Sequence, residues 1–231
     1  MANAEGPSMV AENYLASIYR LEEEREAITV VKLAEVLRTT PATERLGSTL
    51  PSVLSMLRRL EKDELIEFTP ERTIRPTPQG EQVGESVVRR HRLAECWLAQ
   101  SLGLELSLVH IEAHRFEHAM SEDVERHLDA FLGHPTTCPF GYPIPGNTKL
   151  HRVHARTLTQ AGVGEQCVVD RIPEDDVQLL SYLVSNGVLP NTSIVVKEIA
   201  PYKGIVTVEV DQRTVVIGHQ VADGIRVRRS E

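Results

Sequence analysis

Between His110 and Met120 the chain reads HIEAHRFEHAM, a dense set of imidazoles and carboxylates. On a helix, His110, His114, Glu117 and His118 fall at i, i+4, i+7 and i+8 and share one face. Such a face can hold a divalent metal or relay protons. Ile111, Ala113 and Phe116 lie off it, and Glu112 points away towards solvent. A merely solvated charged face is the plain alternative, but imidazoles solubilise poorly and have little reason to gather. A second pair, His91 and Glu95 in RRHRLAE, stands at i and i+4 on another helical stretch. Each pair alone is weak; two helices that both present His and Glu are how helical metal sites are built. The run His114-Arg-Phe-Glu117-His118 also fits H-x-x-E-H, in which two histidines hold zinc and the glutamate activates water. A zinc metallopeptidase would need a third ligand, an open coordination position and a cleft.

These groups need elements to position them. Ser8 caps a helix through MVAENYLASIYRLEEE, with Val10, Tyr14, Ile18 and Leu21 at helical spacing. TVVKLAEVLR follows as a short helix with Val31, Leu33, Ala34 and Leu37 inward, and TTPATERLGST reads as a loop. Pro51 stands as the first residue of a third helix, with Val53, Leu54, Leu57 and Leu60 as its buried stripe. LIEFTPERTIRPTP alternates around a Pro-Glu-Arg turn and predicts a two-stranded wing. A long helix runs from Pro78 towards Gly103, then the histidine-rich helix, then one capped by Ser121 and closed near Gly133. HPTTCPFGYPIPGN reads as the connection to a β-rich part: TLTQAGVGEQCVVDRI, TSIVVKEIA, GIVTVEV and TVVIGHQVADGIRV are short strand-like runs suited to a small barrel.

Two short helices, a basic-tipped third and a wing make a winged helix-turn-helix. On the third helix Ser52, Ser55, Met56 and Arg59 share the face opposite the leucines, with Lys62 at its edge. Hydroxyls and basic groups there suit base edges and phosphates; a plain three-helix interaction module is the alternative. The segment LRRLEKDELIEF resembles the helix–wing junction of winged regulators, with Glu64 where a glycine is usual.

A length of 231 residues predicts two domains of roughly 100–150 residues. Apolar content of 41% and charged content of 25% are ordinary for a folded soluble protein. No apolar run approaches the ~20 residues of a membrane span, and the N-terminus lacks a basic-then-apolar signal, which points to the cytoplasm. Cys96, Cys138 and Cys167 are odd in number and widely spaced, so disulfides and a zinc ribbon are set aside. A net charge of −8 argues against indiscriminate nucleic-acid binding, though not against a locally basic site, and suits a gatherer of cations.

HRLAE, VHIEAHRFEHAMSEDVERHL and CPFGYPIPG, in this order behind a winged helix-turn-helix, together resemble the diphtheria toxin repressor family of metal-dependent transcription regulators. The resemblance spans essentially the whole chain. It implies a mainly α fold with a β-rich C-terminal part: a winged helix-turn-helix over 1–76, a helical dimerisation and metal-binding domain over 77–150, and an SH3-like (FeoA-like) barrel over 151–231. It implies a homodimer on palindromic operator DNA that represses metal-uptake and homeostasis genes when Mn(II) or Fe(II) is bound, with two ions per subunit. The family's primary ligands map onto Asn13, His114, Glu117 and His118. Glu117 and His118 match; Asn13 and His114 depart from both the iron-type and the manganese-type pattern. The family's ancillary site maps onto His91, Glu95 and His110, with Cys138 of CPFG beside them. A barrel ligand falls near Asp176, with Asp175 or Gln178 as alternatives. Without Met or Cys the primary set is nitrogen and hard oxygen, which leans towards manganese, although His114 also suits zinc and cobalt. Arg45 in the long loop is a further candidate for a DNA backbone contact.

Overall fold

The computed structural model describes residues 6–39, 46–148 and 156–230, so Arg45 and the boundary expected between 150 and 151 lie outside the described residues. The chain forms two compact units: residues up to Ala94 with Ala113–His127, and Glu95–Glu112 with Leu128 onwards.

The first unit opens with α1 (Met9–Glu23), whose N-cap Ser8 accepts a hydrogen bond from the Ala11 amide at 3.4 Å. Helix α2 (Val30–Thr39) is capped by Thr29, and α3 (Leu50–Lys62) by Thr49. Tyr14, Leu15 and Ile18 of α1 meet Leu33 and Leu37 of α2 and Val53, Leu57 and Leu60 of α3 in one core. Strands β1 (Ile66–Phe68) and β2 (Ile74–Pro76) pair antiparallel as the wing and add Ile66 and Ile74 to that core. Three details correct the sequence reading. Leu54 is 40% exposed, because it sits about a quarter turn off the Val53–Leu57–Leu60 stripe. Val31 is 54% exposed, and Val30 packs on the core in its place. The helix starts one residue early, so Pro51 is its second residue.

Helix α3 ends in a Schellman turn. The Leu65 amide donates to the Leu60 carbonyl at 2.9 Å and the Glu64 amide to Glu61 at 3.1 Å, with Glu64 at φ 58°. A side chain in the left-handed region is strained by about 1 kcal/mol. Glu64→Gly should therefore raise the denaturation midpoint, with a gain in stability of up to about 0.5 kcal/mol once glycine's extra chain entropy is subtracted. An unchanged or lowered midpoint in urea titration would refute the strain.

Helix α4 (Pro78–Gln100) follows Thr77, whose hydroxyl accepts from the Gly80 amide. At Gly84 a Cβ would lie 2.6 Å from the Leu15 carbonyl oxygen, so glycine lets α4 press flat on α1. Helix α5 (Leu106–Glu117) carries His110 and His114, and Ser121 caps α6 (Glu122–Phe131).

The second unit holds a six-stranded sheet in the order β3-β8-β4-β5-β6-β7, antiparallel at every pairing. Its strands are β3 (Arg156–Thr157), β4 (Gln166–Arg171), β5 (Ser193–Ala200), β6 (Ile205–Val210), β7 (Arg213–Gly218) and β8 (Arg226–Arg229). Register shifts at Val169/Arg171 and Val196/Glu198 bend it in the manner of a small SH3-like barrel. The sequence reading names only strands here, yet α7 (Val177–Ser185) and α8 (His219–Gly224) interrupt them. The connection HPTTCPFGYPIPGN is packed, not loose: Phe140 and Ile144 are fully buried. A Cβ on Gly141, at φ 92°, would meet the Asp170 carbonyl oxygen at 2.0 Å. The Asn147 amide nitrogen donates to the Pro135 carbonyl at 2.9 Å and also to Asp129.

Candidate metal centre

In the first unit, α1 brings Glu12 and Asn13 against the end of α5. His118, in the turn just past Glu117, sits between them. Its Nε2 lies 2.7 Å from Asn13 Oδ1 and 3.1 Å from Glu117 Oε1, and its Nδ1 lies 2.6 Å from Glu12 Oε2. Glu117 is the hub. Its Oε1 also faces His114 Nδ1 at 3.3 Å, and its Oε2 faces His91 Nδ1 of α4 at 2.6 Å. The His91 and His114 rings stand 4.4 Å apart. Burial alone would push the Glu117 carboxyl up, but the His91 charge and hydrogen bonds from His114, His118 and His91 hold it well below the usual carboxylate range. Burial works to lower the His118 pKa, yet hydrogen bonds to Glu117 and Glu12 and the charges of both raise it to about 9.

The residues fit a divalent cation. Protonated His118 donates from Nε2 into the point where Asn13 Oδ1 and Glu117 Oε1 converge, so that proton stands where a metal would displace it. Asn13 is buried, and among the described residues its amide nitrogen has no partner while its oxygen is aimed at this point. The oxygen of an amide is its electron-rich end and the end that a cation would bind.

In the second unit Glu95, His110 and Glu174, all buried, present ligand atoms within 4.8 Å of one another. His110 Nδ1 lies 3.0 Å from Glu95 Oε1 and 3.8 Å from Glu174 Oε1; its Nε2 lies 3.4 Å from Asp175. Burial opposes charge on His110, but Glu174, Asp175 and Glu95 together raise its pKa to about 10. Asp176, the residue singled out from the sequence, is placed otherwise. Its Oδ1 caps α7, accepting from the amides of Gln178 at 2.8 Å and Leu179 at 3.0 Å. Cys138 is buried in the loop whose Phe140 ring meets His110 edge-on, but its thiol is not among the ligand atoms that gather there. His91 stands one turn before Glu95 on α4, with Nδ1 turned to Glu117.

Both raised histidines bind a proton in the folded chain that the unfolded chain gives up near 6.5. Metal-free stability should thus be fully present below pH 6.5 and fall as pH rises through about 9 and 10. Urea midpoints of chelator-treated protein across pH 6–10 check this. Metal binding expels the same protons, so metal affinity should rise over that range.

On α3, the helix expected from the sequence to face DNA, Ser52, Ser55, Arg59 and Lys62 are exposed as expected. Met56 is not: it is half-buried and packs against the core. The exposed leucines Leu50 and Leu54 join the face instead. Arg58 ties helix to wing, bonding Glu61 at 2.8 Å and lying 4.7 Å over the Phe68 ring. The Tyr14 hydroxyl donates to the Gly47 carbonyl at 2.9 Å, fixing the approach to α3.

Sequence reasoning missed Glu12 and Glu174. Glu12 adjoins Asn13 and passes for an ordinary first-turn acid. Glu174 begins the run Glu-Asp-Asp before a helical stretch, and recognising the last acid as the cap would have freed the first for the site.

Comparison with known proteins agrees with this layout. Residues 8–74 match the iron dependent repressor N-terminal DNA binding domain and 77–146 the iron dependent repressor metal binding and dimerisation domain; residues 156–229 match the FeoA domain. The chain is 35% identical to the iron-dependent repressor IdeR of Mycobacterium leprae over 234 residues, covering 94% of this chain and 96% of that one. It is 40% identical to the diphtheria toxin repressor of Corynebacterium diphtheriae over 139 residues, 60% of this chain and 58% of that one. A manganese-dependent transcriptional repressor solved in complex with manganese superposes with a TM-score of 0.83 at 30% identity, covering 96% of this chain and all of the other. The IdeR structure from T. acidophilum superposes with a TM-score of 0.75 at 25% identity, covering 97% of this chain and 100% of that one.

Proposed function

The chain belongs to the family of iron-dependent repressors, and from that premise we propose that it binds two Mn(II) or Fe(II) ions per subunit and, as a cytoplasmic homodimer, represses palindromic operators of metal-uptake genes. It is a metal-dependent, DNA-binding transcriptional regulator and not an enzyme. In an H-x-x-E-H peptidase the glutamate must stay free to activate water. Here Glu117 lies among three imidazoles, those of His91, His114 and His118.

One observation carries the proposal: Asn13, on the first helix of the DNA-binding fold, points its amide oxygen at His118 Nε2, 2.7 Å away and beside Glu117. Asn13, His114, Glu117 and His118 would hold the first ion. Glu95, His110 and Glu174 would hold the second. A bound cation supplies the positive charge that draws carboxylate, amide oxygen and imidazole to one point. Holding α1 against α5 fixes the winged helix in one position before DNA is met, removing part of the ordering cost of association. The donor set lacks sulfur, which supports Mn(II) over softer ions.

The test is anaerobic titration of DNA binding with Mn(II), Fe(II) and Zn(II), using duplexes selected by the metal-loaded protein. Affinity independent of every metal would sink the reading. In the same assay Arg59→Ala should weaken all duplexes about equally and reduce the salt slope by about one, as a phosphate contact does. An unchanged slope would mean that this helix face is turned away from the backbone.

A further inference from the structure

Resting on the metal reading above, we propose that Glu12 is a positioning residue for the first ion, fixing the ring of His118 and supplying a negative charge that Asn13 cannot. The geometry divides the work of the imidazole. Nδ1 faces Glu12 Oε2 at 2.6 Å, whereas Nε2 faces Asn13 Oδ1 at 2.7 Å and Glu117 Oε1 at 3.1 Å. A carboxylate only accepts, so the Nδ1 proton stays and Nε2 is the nitrogen left to bind an ion. Histidines that hold metals commonly give their other N–H to a carboxylate, which locks the tautomer and makes the ligating nitrogen more basic.

Charge adds a second reason. Among Asn13, His114, Glu117 and His118, only Glu117 is anionic, so a divalent cation would stay half neutralised by its own donors. Glu12 brings the missing charge through His118. It is itself held by Arg90, whose Nη2 lies 3.6 Å from Glu12 Oε1 while Nη1 donates to the Met120 carbonyl at 3.3 Å. Because Glu12 and Asn13 are neighbours on α1, one helix turn reaches His118 at both nitrogens, and the turn of α1 and the ring of His118 must be ordered together. An acid that served only the α1 dipole would have no need of that ring.

The experiment uses the full chain and the near-isosteric Glu12→Gln. Free Mn(II) is counted by electron paramagnetic resonance in the absence of DNA. In Co(II)-loaded protein the hyperfine-shifted imidazole N–H of His118, assigned by its absence in His118→Gln, is followed for exchange with water. Glu12→Gln should weaken Mn(II) at the first site by about 10–100-fold, speed exchange of that proton, and leave the second ion bound as before. Affinity within about twofold of the unaltered chain, or an unchanged exchange rate, overturns the assignment of Glu12. If the unaltered chain itself shows no first-site ion and no shifted His118 proton, it is the metal reading that fails. Melting curves followed by circular dichroism confirm that Glu12→Gln is folded, and the loss of charge with little change in shape makes that the expected outcome.

Discussion

Glu117→Ala should leave operator binding at its metal-free level at Mn(II) concentrations that saturate the unaltered protein. Glu117 is 1% exposed and faces His91, His114 and His118 together. Without it the first ion keeps no anionic donor. Outer-sphere partners alone are worth about 10–100-fold in metal affinity, so loss of this group should exceed about 100-fold. The metal count should fall from two to one, since Glu95, His110 and Glu174 are untouched. Breaking a buried charged pair also destabilises a chain by about 3–5 kcal/mol, so Glu117→Gln serves as the companion that keeps shape and volume. Metal-stimulated DNA binding by both variants at ordinary Mn(II) concentrations would end the first-site assignment. The metal count has to be measured beside the DNA affinity, because an unfolded variant loses both ions whereas a folded one loses only one.

At the second site Glu174→Ala and Asp176→Ala should part company. Glu174 is buried, with Oε1 3.8 Å from His110 Nδ1. Its loss should weaken the second ion by more than about 100-fold, again because removing a donor exceeds the loss of an outer partner. Asp176 is spent on the amides of Gln178 and Leu179 at the start of α7. Its replacement should cost about 1 kcal/mol of stability, the worth of an N-cap, and leave two ions per chain. Equilibrium dialysis against Mn(II), with urea unfolding alongside, separates the two variants. An emptied second site in Asp176→Ala, with Glu174→Ala unaffected, would restore the assignment made from the sequence.

Much of this protein was legible in its sequence because the signals are local and periodic. Ser8, Pro51 and Ser121 announce helix starts, and Val53, Leu57 and Leu60 mark the inner face of α3. The alternation on either side of Pro70 announces the wing. His114, Glu117 and His118 are bound to lie together by helical spacing alone, and the α1 helix that carries Asn13 is equally plain. What spacing cannot give is a choice between neighbours one residue apart. Glu12 and Asn13 both reach His118, and only the way α1 lies on the end of α5 assigns one to Nδ1 and the other to Nε2. Glu174, Asp175 and Asp176 are three acids in a row, and only the start of α7 decides that the last is consumed by backbone amides while the first stays buried beside His110. Leu54 and Met56 exchange their expected exposures because a quarter turn separates core from solvent on α3, and the packing partners of α1 and α2 set where that line falls. Sequence determined which chemistry is present and on which helices; the docking of those helices decided which atom of which neighbour meets it, because periodicity fixes a face to within about a quarter turn whereas a ligand must be placed to within a fraction of an ångström.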